Sequence, residues 1–435
     1  MHSSSMRPGA LRPRLFWLLA LAPLVAACDD EGSAQAEQQG TLDGQVAPDE
    51  GPMGADFGVD STQADAAPAD ATLPDAAAPD ALVDHTPVDG PGPFHVGFHT
   101  ETIEYTNPAL GETRPLDLHW WYPTEATTGS GPRYAGIFPR PEVFADAPPW
   151  PGQAPLVVFS HGNGGLAEQS FFFTEFLASH GFVVVAPDHT GNTFRDSSAP
   201  IWQLFELRPE DIGAVLDFAD ALPGDHPLAG HLGPERALSG HSFGGYTTLA
   251  AGGAGYAVDA LVAACAEPPD SESEACVYLL NPATQARYSA GFADDRLMAL
   301  IPLAPAGANL FGGEVGLPGI TLPTLLMTAA QDATLPNPVE GDPLWAGLTA
   351  PDRLRLDFTR AGHFTFSNAC TLAPASATGD GCGPEFIDPT QAHRLINAYA
   401  LAFLRLHLLG DGADAALLAG TTRLEEGEIE LTVGQ

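Results

Sequence analysis

Residues 240–245 read Gly-His-Ser-Phe-Gly-Gly, and the secondary structure predicted on either side of this stretch decides the fold. A short apolar approach, Arg236 to Ser239, comes before it, and a helical run of small residues, Tyr246 to Gly255, comes after it. A strand, a tight turn and a helix in this order are the setting in which G-x-S-x-G indicates a nucleophile, here Ser242. Gly240 and Gly244 are required because a Cβ two residues before or after Ser242 would clash with the neighbouring strand or helix.

A second glycine-rich loop, His161-Gly162-Asn163-Gly164-Gly165, follows the apolar run Pro155 to Ser160. Gly162 and Gly164 let the backbone approach a substrate carbonyl and present its N–H groups. The backbone N–H groups of Asn163 and Phe243 are therefore the predicted oxyanion hole.

Apolar runs and amphipathic segments alternate along the body of the chain. Strands are predicted over Val96–Tyr105, Leu116–Tyr122, Pro155–Ser160, Phe182–Ala186, Met298–Leu303, Thr324–Thr328 and Leu354–Phe358. Helices are predicted over Phe171–Ser179, Asp211–Leu222 and Pro389–Leu409. This order predicts an α/β fold with a mostly parallel central sheet and helices on both faces. Ligands bind beyond the C-terminal strand ends in such sheets, and both glycine-rich loops fall at such ends.

The first 93 residues are interpreted as an export signal and a tether. Residues 1–27 combine three arginines with an apolar run, Leu15 to Ala27, that is too short to span a bilayer as a helix. The ending Leu24-Val25-Ala26-Ala27-Cys28 resembles the lipobox of bacterial lipoproteins, which implies acylation of Cys28 and a membrane anchor. Residues 28–93 are rich in Ala, Pro and Asp, with fifteen acidic and no basic residues, and are predicted to be a disordered spacer.

Residues 94–435 are long enough for one large domain, and we expect a monomer. This body carries 40 acidic residues against 14 arginines, which argues against nucleic acid, anionic lipid surfaces and anionic substrates. The chain has no lysine, so Schiff-base chemistry and a P-loop are excluded.

Four cysteines follow Cys28, and two close pairs are expected to form the disulfides Cys265–Cys276 and Cys370–Cys382. Their spacings do not match a zinc site, and no metal is expected.

With these residues assembled, the chain resembles the alpha/beta hydrolase superfamily, and within it esterases of the platelet-activating-factor acetylhydrolase and dienelactone hydrolase type. The likeness rests on four stretches: Trp121-Tyr122-Pro123, Ser160-His161-Gly162-Asn163-Gly164, Ala186-Pro187-Asp188-His189-Thr190-Gly191-Asn192-Thr193 and Gly240-His241-Ser242-Phe243-Gly244-Gly245. It covers about Val96 to Leu409 and implies a serine hydrolase that acts on esters without a cofactor. An insertion at about 255–295 has the position of a cap over the pocket.

Acyl transfer by a serine needs a base and a carboxylate that orients the base. Alpha/beta hydrolases place them in the order Ser, acid, His on loops after later strands. Asp332 and His363 fit this order, each shortly after a predicted strand. The acetylhydrolases carry the acid one strand earlier, where this chain has Ala304-Pro305-Ala306, so phospholipid specificity is not implied.

Other histidines and acids have weaker cases. Asp188 and His189 precede the nucleophile and are expected to hold their own loop, while His393 and His407 lie within the last predicted helix. The predicted function is a lipid-anchored serine carboxylesterase for small or medium esters. Two alternatives stay open: a lipase, phospholipase or polyesterase on the same triad, and a surface binding protein on a hydrolase scaffold without turnover.

Overall fold

The computed structural model describes residues 86–266, 273–313 and 315–434. The predicted signal at 1–27, the predicted lipidation site Cys28 and most of the predicted tether lie outside the described residues. Within the described part of the chain, no helix is both long and apolar enough to cross a membrane.

Strands and helices alternate along the described residues as the sequence predicts. The strands are β1 His95–Thr106, β2 Thr113–Thr124, β3 Arg133–Tyr134, β4 Phe138–Pro139, β5 Val143–Ala145, β6 Ala154–Ser160, β7 Val183–Asp188, β8 Leu232–His241, β9 Ala299–Leu303, β10 Thr324–Ala329, β11 Arg353–Phe358 and β12 Ile429–Val433. The α-helices are α1 Phe171–Ser179, α2 Ile201–Asp220, α3 Phe243–Ala251, α4 Val258–Cys265, α5 Glu274–Leu279, α6 Pro282–Ala290, α7 Ala308–Phe311, α8 Gly341–Gly347, α9 Ala369–Leu372, α10 Pro374–Ala377, α11 Pro389–Leu409 and α12 Ala415–Leu418.

Ten of these strands form one sheet in the order β12-β11-β10-β9-β8-β6-β7-β2-β1-β5. The six neighbours from β11 to β7 pair in parallel, while β2 runs antiparallel to both β7 and β1. The predicted mostly parallel α/β architecture is therefore confirmed. The parallel strands end at one edge of the sheet, where their following loops meet.

The central strand β6 shows why apolar runs form this sheet. All seven of its residues are buried, because helices cover both faces. Val157 and Phe159 belong to the core under α1 and α11, whereas Leu156 and Val158 belong to the core under α2 and α3. This alternation follows from the two-residue period of a strand.

Helix α2 begins ten residues earlier than predicted, at Ile201 instead of Asp211. The predicted start was wrong: the helix runs through Pro209, although proline lacks the N–H that bonds to the residue four positions earlier. In the structure that residue is Phe205, and its carbonyl oxygen accepts the Tyr246 hydroxyl instead. A tertiary contact thus satisfies the group that Pro209 leaves open, and the helix continues.

Both ends of the body pack onto the folded part. Residues 86–93, placed in the tether by their composition, lie against the folded part: Val88 is buried and Asp89 pairs with Arg394 at 3.1 Å. At the other end, the stretch 411–434 forms α12 and then β12, which extends the sheet antiparallel to β11. The predicted cap at about 255–295 contains α4, α5 and α6 among its described residues.

Candidate active site

Ser242 lies in a strained turn between β8 and α3. Its backbone has φ 58° and ψ −116°, a region that residues with a side chain rarely adopt. Hydrogen bonds hold it there: the Ser242 N–H donates to Leu303 O at 2.9 Å, and the Tyr246 N–H donates to Ser242 O at 3.1 Å. This is the geometry that the sequence pattern predicts for a nucleophile on a strand-to-helix turn.

The glycines flanking Ser242 are explained by close backbone contacts. A Cβ on Gly240 would lie 2.4 Å from Gly244 O and 2.7 Å from Ser160 O. One on Gly244 would lie 1.8 Å from Ser160 O. The turn can pack against the end of β6 only with glycine at both positions, as predicted.

The predicted oxyanion donors flank this turn. Phe243 is the first residue of α3, so its N–H has no acceptor within the helix. The loop after β6 forms a tight turn in which the Gly165 N–H donates to Gly162 O at 3.1 Å, with Gly164 at φ 63°. Within the described residues the Asn163 N–H donates no hydrogen bond. Both N–H groups are thus free to bind an oxyanion.

Asp332 and His363 meet at the C-terminal edge of the sheet. Asp332 follows β10 and His363 follows β11, and the His363 Nδ1 lies 2.8 Å from Asp332 Oδ2. Both side chains are only 2% exposed. The other Asp332 oxygen accepts the Leu335 N–H at 2.6 Å, so this carboxylate also fixes its own turn. With Nδ1 donating to the carboxylate, Nε2 of His363 remains available as a base.

The elbow lies next to this pair, although no hydrogen bond joins Ser242 Oγ to His363 Nε2 among the described residues. The His241 ring lies 4.7 Å from the His363 ring between centroids, and His241 Nε2 lies 2.9 Å from His363 O. Such serine–histidine contacts are often long in free enzymes and close when substrate binds.

His241 connects the oxyanion loop to the histidine loop. Its Nδ1 accepts from Gln169 Nε2 at 2.8 Å, and Gln169 Oε1 accepts the Gly162 N–H at 3.0 Å. Burial, reinforced by the neighbouring His363, lowers the pKa of His241 well below its usual value. A neutral His241 that accepts at Nδ1 and donates at Nε2 fits both partners. The sequence offered no signal for the role of Gln169.

Asp380 joins the acid loop to the histidine loop, and sequence reasoning missed it. Its Oδ1 accepts the N–H groups of His363 and Ala333 at 2.8 and 3.0 Å. Its Oδ2 accepts the N–H and hydroxyl of Thr334 at 3.0 and 2.7 Å. Nothing in the local pattern around Asp380 reveals this, because the partners come from segments 17 and 46 or more residues away.

Asp188 and His189 hold their own loop, as expected. Asp188 accepts the Ala167 N–H at 2.6 Å, and His189 Nδ1 lies 2.7 Å from Asp211 Oδ2. Burial and the nearby Arg208 lower the pKa of His189 to about 3, so it is neutral. Burial alone would raise the pKa of Asp211, but the hydrogen bonds from His189 and Arg114 lower it to about 2.

The remaining histidines of the last helix serve packing. His393 stacks on Phe172 with 3.6 Å between ring centroids, and burial lowers its pKa to about 4. His407 packs against Phe403 one turn away on α11. Neither reaches the elbow loop through any contact within the described residues.

A partly buried carboxylate lies near the end of β9, the position where the acetylhydrolases carry their acid. Glu340 comes from the segment before α8 and accepts the Ala308 N–H at 2.8 Å. Burial, with a smaller effect of Asp332, raises the pKa of Glu340 to about 7. The sequence places no carboxylate on the β9 loop itself, so this group was not foreseen.

Both expected disulfides are present. Cys265–Cys276 links α4 to α5, and Cys370–Cys382 closes the loop that follows His363 and contains Asp380. The second bond therefore braces the site directly, whereas the first braces the predicted cap.

One group of side chains among the described residues has the composition of a metal site: His99, Glu101 and His226, whose ligand atoms lie within 4.8 Å of one another. Hydrogen bonds account for it without an ion. His226 Nδ1 accepts the Leu228 N–H at 3.1 Å, so its Nε2 carries the proton and donates to Glu101 at 2.9 Å. A metal ligand would need that nitrogen deprotonated.

Comparison with known proteins agrees with this fold. A ferulic acid esterase from Streptomyces cinnamoneus matches with a TM-score of 0.54 and 21% sequence identity, covering 80% of this chain and 99% of that chain. In all, 710 chains of solved structures match, so the fold alone does not specify a substrate. No curated protein matches the chain. The model of the alpha/beta hydrolase family matches residues 157–416, from β6 to α12, and the chain belongs to that family.

Proposed function

We propose that the chain is a serine carboxylic-ester hydrolase acting on small or medium esters. The observation that carries this proposal is the strained elbow at Ser242, flanked by free N–H groups and adjacent to the His363–Asp332 hydrogen bond. These are the parts that acyl transfer requires: a nucleophile, an oriented base and an oxyanion site.

The reaction follows from this arrangement in two steps. His363 Nε2 takes the hydroxyl proton of Ser242 as Oγ attacks the ester carbonyl, and the N–H groups of Asn163 and Phe243 bind the resulting oxyanion. The alcohol leaves with the proton from His363, which yields the acyl-enzyme. Water, deprotonated by His363, then attacks the acyl carbon and releases the acid and free Ser242. Asp332 keeps the imidazole in the productive tautomer throughout.

The direct test is hydrolysis of p-nitrophenyl acetate by the full-length chain and by Ser242→Ala. We expect wild-type turnover to fall by at least about 10⁴-fold in S242A. Ser239→Ala is a matched control, because Ser239 is a buried serine of the same strand whose hydroxyl donates to Ile301 O. S239A activity near wild type with S242A inactive supports the proposal; equal activity of S242A and wild type contradicts it.

Neutral or cationic esters are the proposed substrate class. The excess of acidic residues over arginine in the body repels anionic substrates. Ferulate and acetate esters, each made in a neutral and a carboxylate-bearing form, would test this. The same set of esters compares a large acyl group with a small one. Faster turnover of the anionic esters contradicts the charge argument. Turnover that rises sharply on aggregated lipid would favour the lipase alternative.

The proposal includes export and anchoring through a lipid on Cys28, and the closer likeness to dienelactone hydrolases and acetylhydrolases. Both rest on sequence: the run Leu24 to Cys28, and the four stretches quoted above. Metabolic labelling with an alkyne fatty acid checks the anchor. Labelled wild type and unlabelled Cys28→Ser are expected; equal labelling of both contradicts it.

A further inference from the structure

Arg208 is a fully buried cation directly beneath the predicted oxyanion loop. It lies on α2 with no exposed surface. Its guanidinium donates to Asn192 Oδ1 at 2.8 Å, to Ser160 Oγ at 2.9 Å and to His161 O. Burial lowers the pKa of Arg208 to about 9, so it is still charged at neutral pH.

No carboxylate within the described residues accepts a hydrogen bond from this guanidinium. Asp211, a carboxylate whose charge acts on Arg208, instead accepts from Arg114 at 2.7 and 3.0 Å and from His189 at 2.7 Å. The Nε of Arg208 is itself buried without a partner. A charge buried in this way is costly, and an apolar side chain of similar volume would avoid the cost. Its retention therefore calls for a role that depends on the charge.

The contacts of Arg208 lead to both predicted oxyanion donors. On one side Arg208 donates to His161 O and to Asn192 Oδ1. Asn192 Nδ2 in turn donates to Asn163 Oδ1 at 2.8 Å, so Arg208 supports Asn163 through Asn192. On the other side its Cζ lies 4.8 Å from the centre of the Phe243 ring, which is within the range of a cation–π interaction. One side chain thus contacts the supports of both N–H groups.

We propose that Arg208 is the positioning residue of the oxyanion hole: it holds the N–H groups of Asn163 and Phe243 where they can bind the oxyanion, and it balances the charge of the oxyanion. The inference rests on the proposed ester hydrolysis. A negative charge develops on the carbonyl oxygen only in the transition state and intermediate, so a nearby buried cation that no carboxylate accepts from stabilises these states more than the bound ester. Low local polarity strengthens that interaction.

The test uses the full-length chain and three substitutions. Arg208→Met keeps the volume and removes the charge, Arg208→Gln keeps a donor without the charge, and Arg208→Lys keeps the charge without the planar fork. Arg236→Met is the matched control, because Arg236 is a buried arginine in the middle of β8 that also donates to a backbone carbonyl. For each protein, kcat and KM on p-nitrophenyl butyrate, the labelling rate with a neutral fluorophosphonate and the urea midpoint are measured.

We expect kcat of R208M and R208Q to fall about 100-fold with KM little changed, and fluorophosphonate labelling to slow in parallel. R208K should retain about tenfold more kcat than R208Q, because it keeps the charge. R236M should keep the wild-type kcat. A purely structural role would lower the urea midpoint without this separation between R208K and R208Q.

Two results would overturn the inference separately from the proposed function. The first requires an active wild type and an inactive S242A. If R208M or R208Q, whichever folds, then keeps kcat within about threefold of wild type, Arg208 has no such role. If R208K loses as much kcat as R208Q, the charge is not what matters. A wild type that neither hydrolyses the ester nor is labelled would overturn both the function and the inference.

Discussion

The proposed oxyanion half of the site, built from the loops after β6 and β7 and the turn after β8, contrasts with the proposed acid–base half, built from the loops after β10 and β11. In the oxyanion half a buried cation, Arg208, donates to oxygen atoms of the loop. In the acid–base half a buried anion, Asp380, accepts from the N–H groups of both loops. Each half thus contains a buried charged side chain that binds its loops, and these two charges are opposite.

The difference follows from which backbone groups must stay free. An oxyanion loop that presents N–H groups to substrate cannot be held by those same groups, so its oxygens must be bound, and this requires a donor. The acid–base half presents side chains instead. Its backbone N–H groups are therefore free to be bound by a carboxylate, which leaves the ring of His363 and the carboxylate of Asp332 to face each other.

The largest effect in the acid–base half should come from Asp332→Asn. The amide cannot fix the productive tautomer of His363, and we expect kcat to fall by about 10⁴-fold with KM little changed. Asp294→Asn is the control and should keep full activity, because the Asp294 carboxylate binds Arg296 outside the site. Steady-state kinetics on p-nitrophenyl butyrate decide it; a D332N enzyme within about tenfold of wild type would remove Asp332 from the triad.

Asp380→Asn should have a smaller but still large effect. One of its oxygens becomes an NH₂ that cannot accept the loop N–H groups, and small displacements of catalytic groups can cost about 100-fold in rate. We expect kcat to fall by tenfold to about 100-fold. Asp388→Asn is the matched control, because this carboxylate also accepts backbone N–H groups, at the start of α11. Equal kcat in both variants would show that Asp380 does not position the site.

The two disulfides separate bracing of the site from bracing of the predicted cap. Replacing Cys370 and Cys382 by serine should cost about 3 kcal/mol of stability and also lower kcat, because Asp380 lies in the closed loop. The same change at Cys265 and Cys276 should cost a similar amount but act on KM. Denaturation and kinetics on both double variants test this. If removal of 370–382 leaves kcat unchanged, its loop does not hold the site.

The smallest effect concerns pH and Glu340. The unfolded carboxyl ionises near its usual 4.5 and the folded one near 7, so between these values the folded state binds more protons and stability falls as pH rises. Glu340→Gln removes this loss. Its urea midpoint should rise relative to wild type between pH 5 and pH 8. A pH-independent difference between E340Q and wild type would contradict this expectation.

His189 acts in the opposite sense in the oxyanion half. Its pKa is about 3 in the folded state and about 6.5 in the unfolded state, so the unfolded state binds more protons between these values. The stability from His189 is therefore lost as pH falls below about 6.5.

The sequence predicts the pieces that depend on local pattern and misses those that depend on packing. Ser242, Asp332 and His363 each follow a readable strand, so strand order alone brings them to one edge of the sheet; their roles remain predictions. Arg208 was not singled out, because it lies before Asp211, where the predicted helix begins, in the part of α2 that continues through Pro209. That continuation depends on the Tyr246 hydroxyl, which satisfies the Phe205 carbonyl from a different segment.

Asp380 and Gln169 were missed for a related reason. Gln169 connects Gly162 to His241, 72 residues away, and Asp380 connects His363 to Thr334. Both accept backbone N–H groups, which every residue except proline has, so no residue pattern marks these partners. Such supports become visible only when the loops are folded against each other.

The most direct measurement is the site of covalent labelling by a fluorophosphonate, read by peptide mass spectrometry. If Ser242 is the nucleophile activated by His363, wild type should carry a single adduct on the peptide containing Ser242, and His363→Ala should lose it. Absence of an adduct in folded wild type, or an adduct on another serine that persists in S242A, would contradict the proposed serine hydrolase.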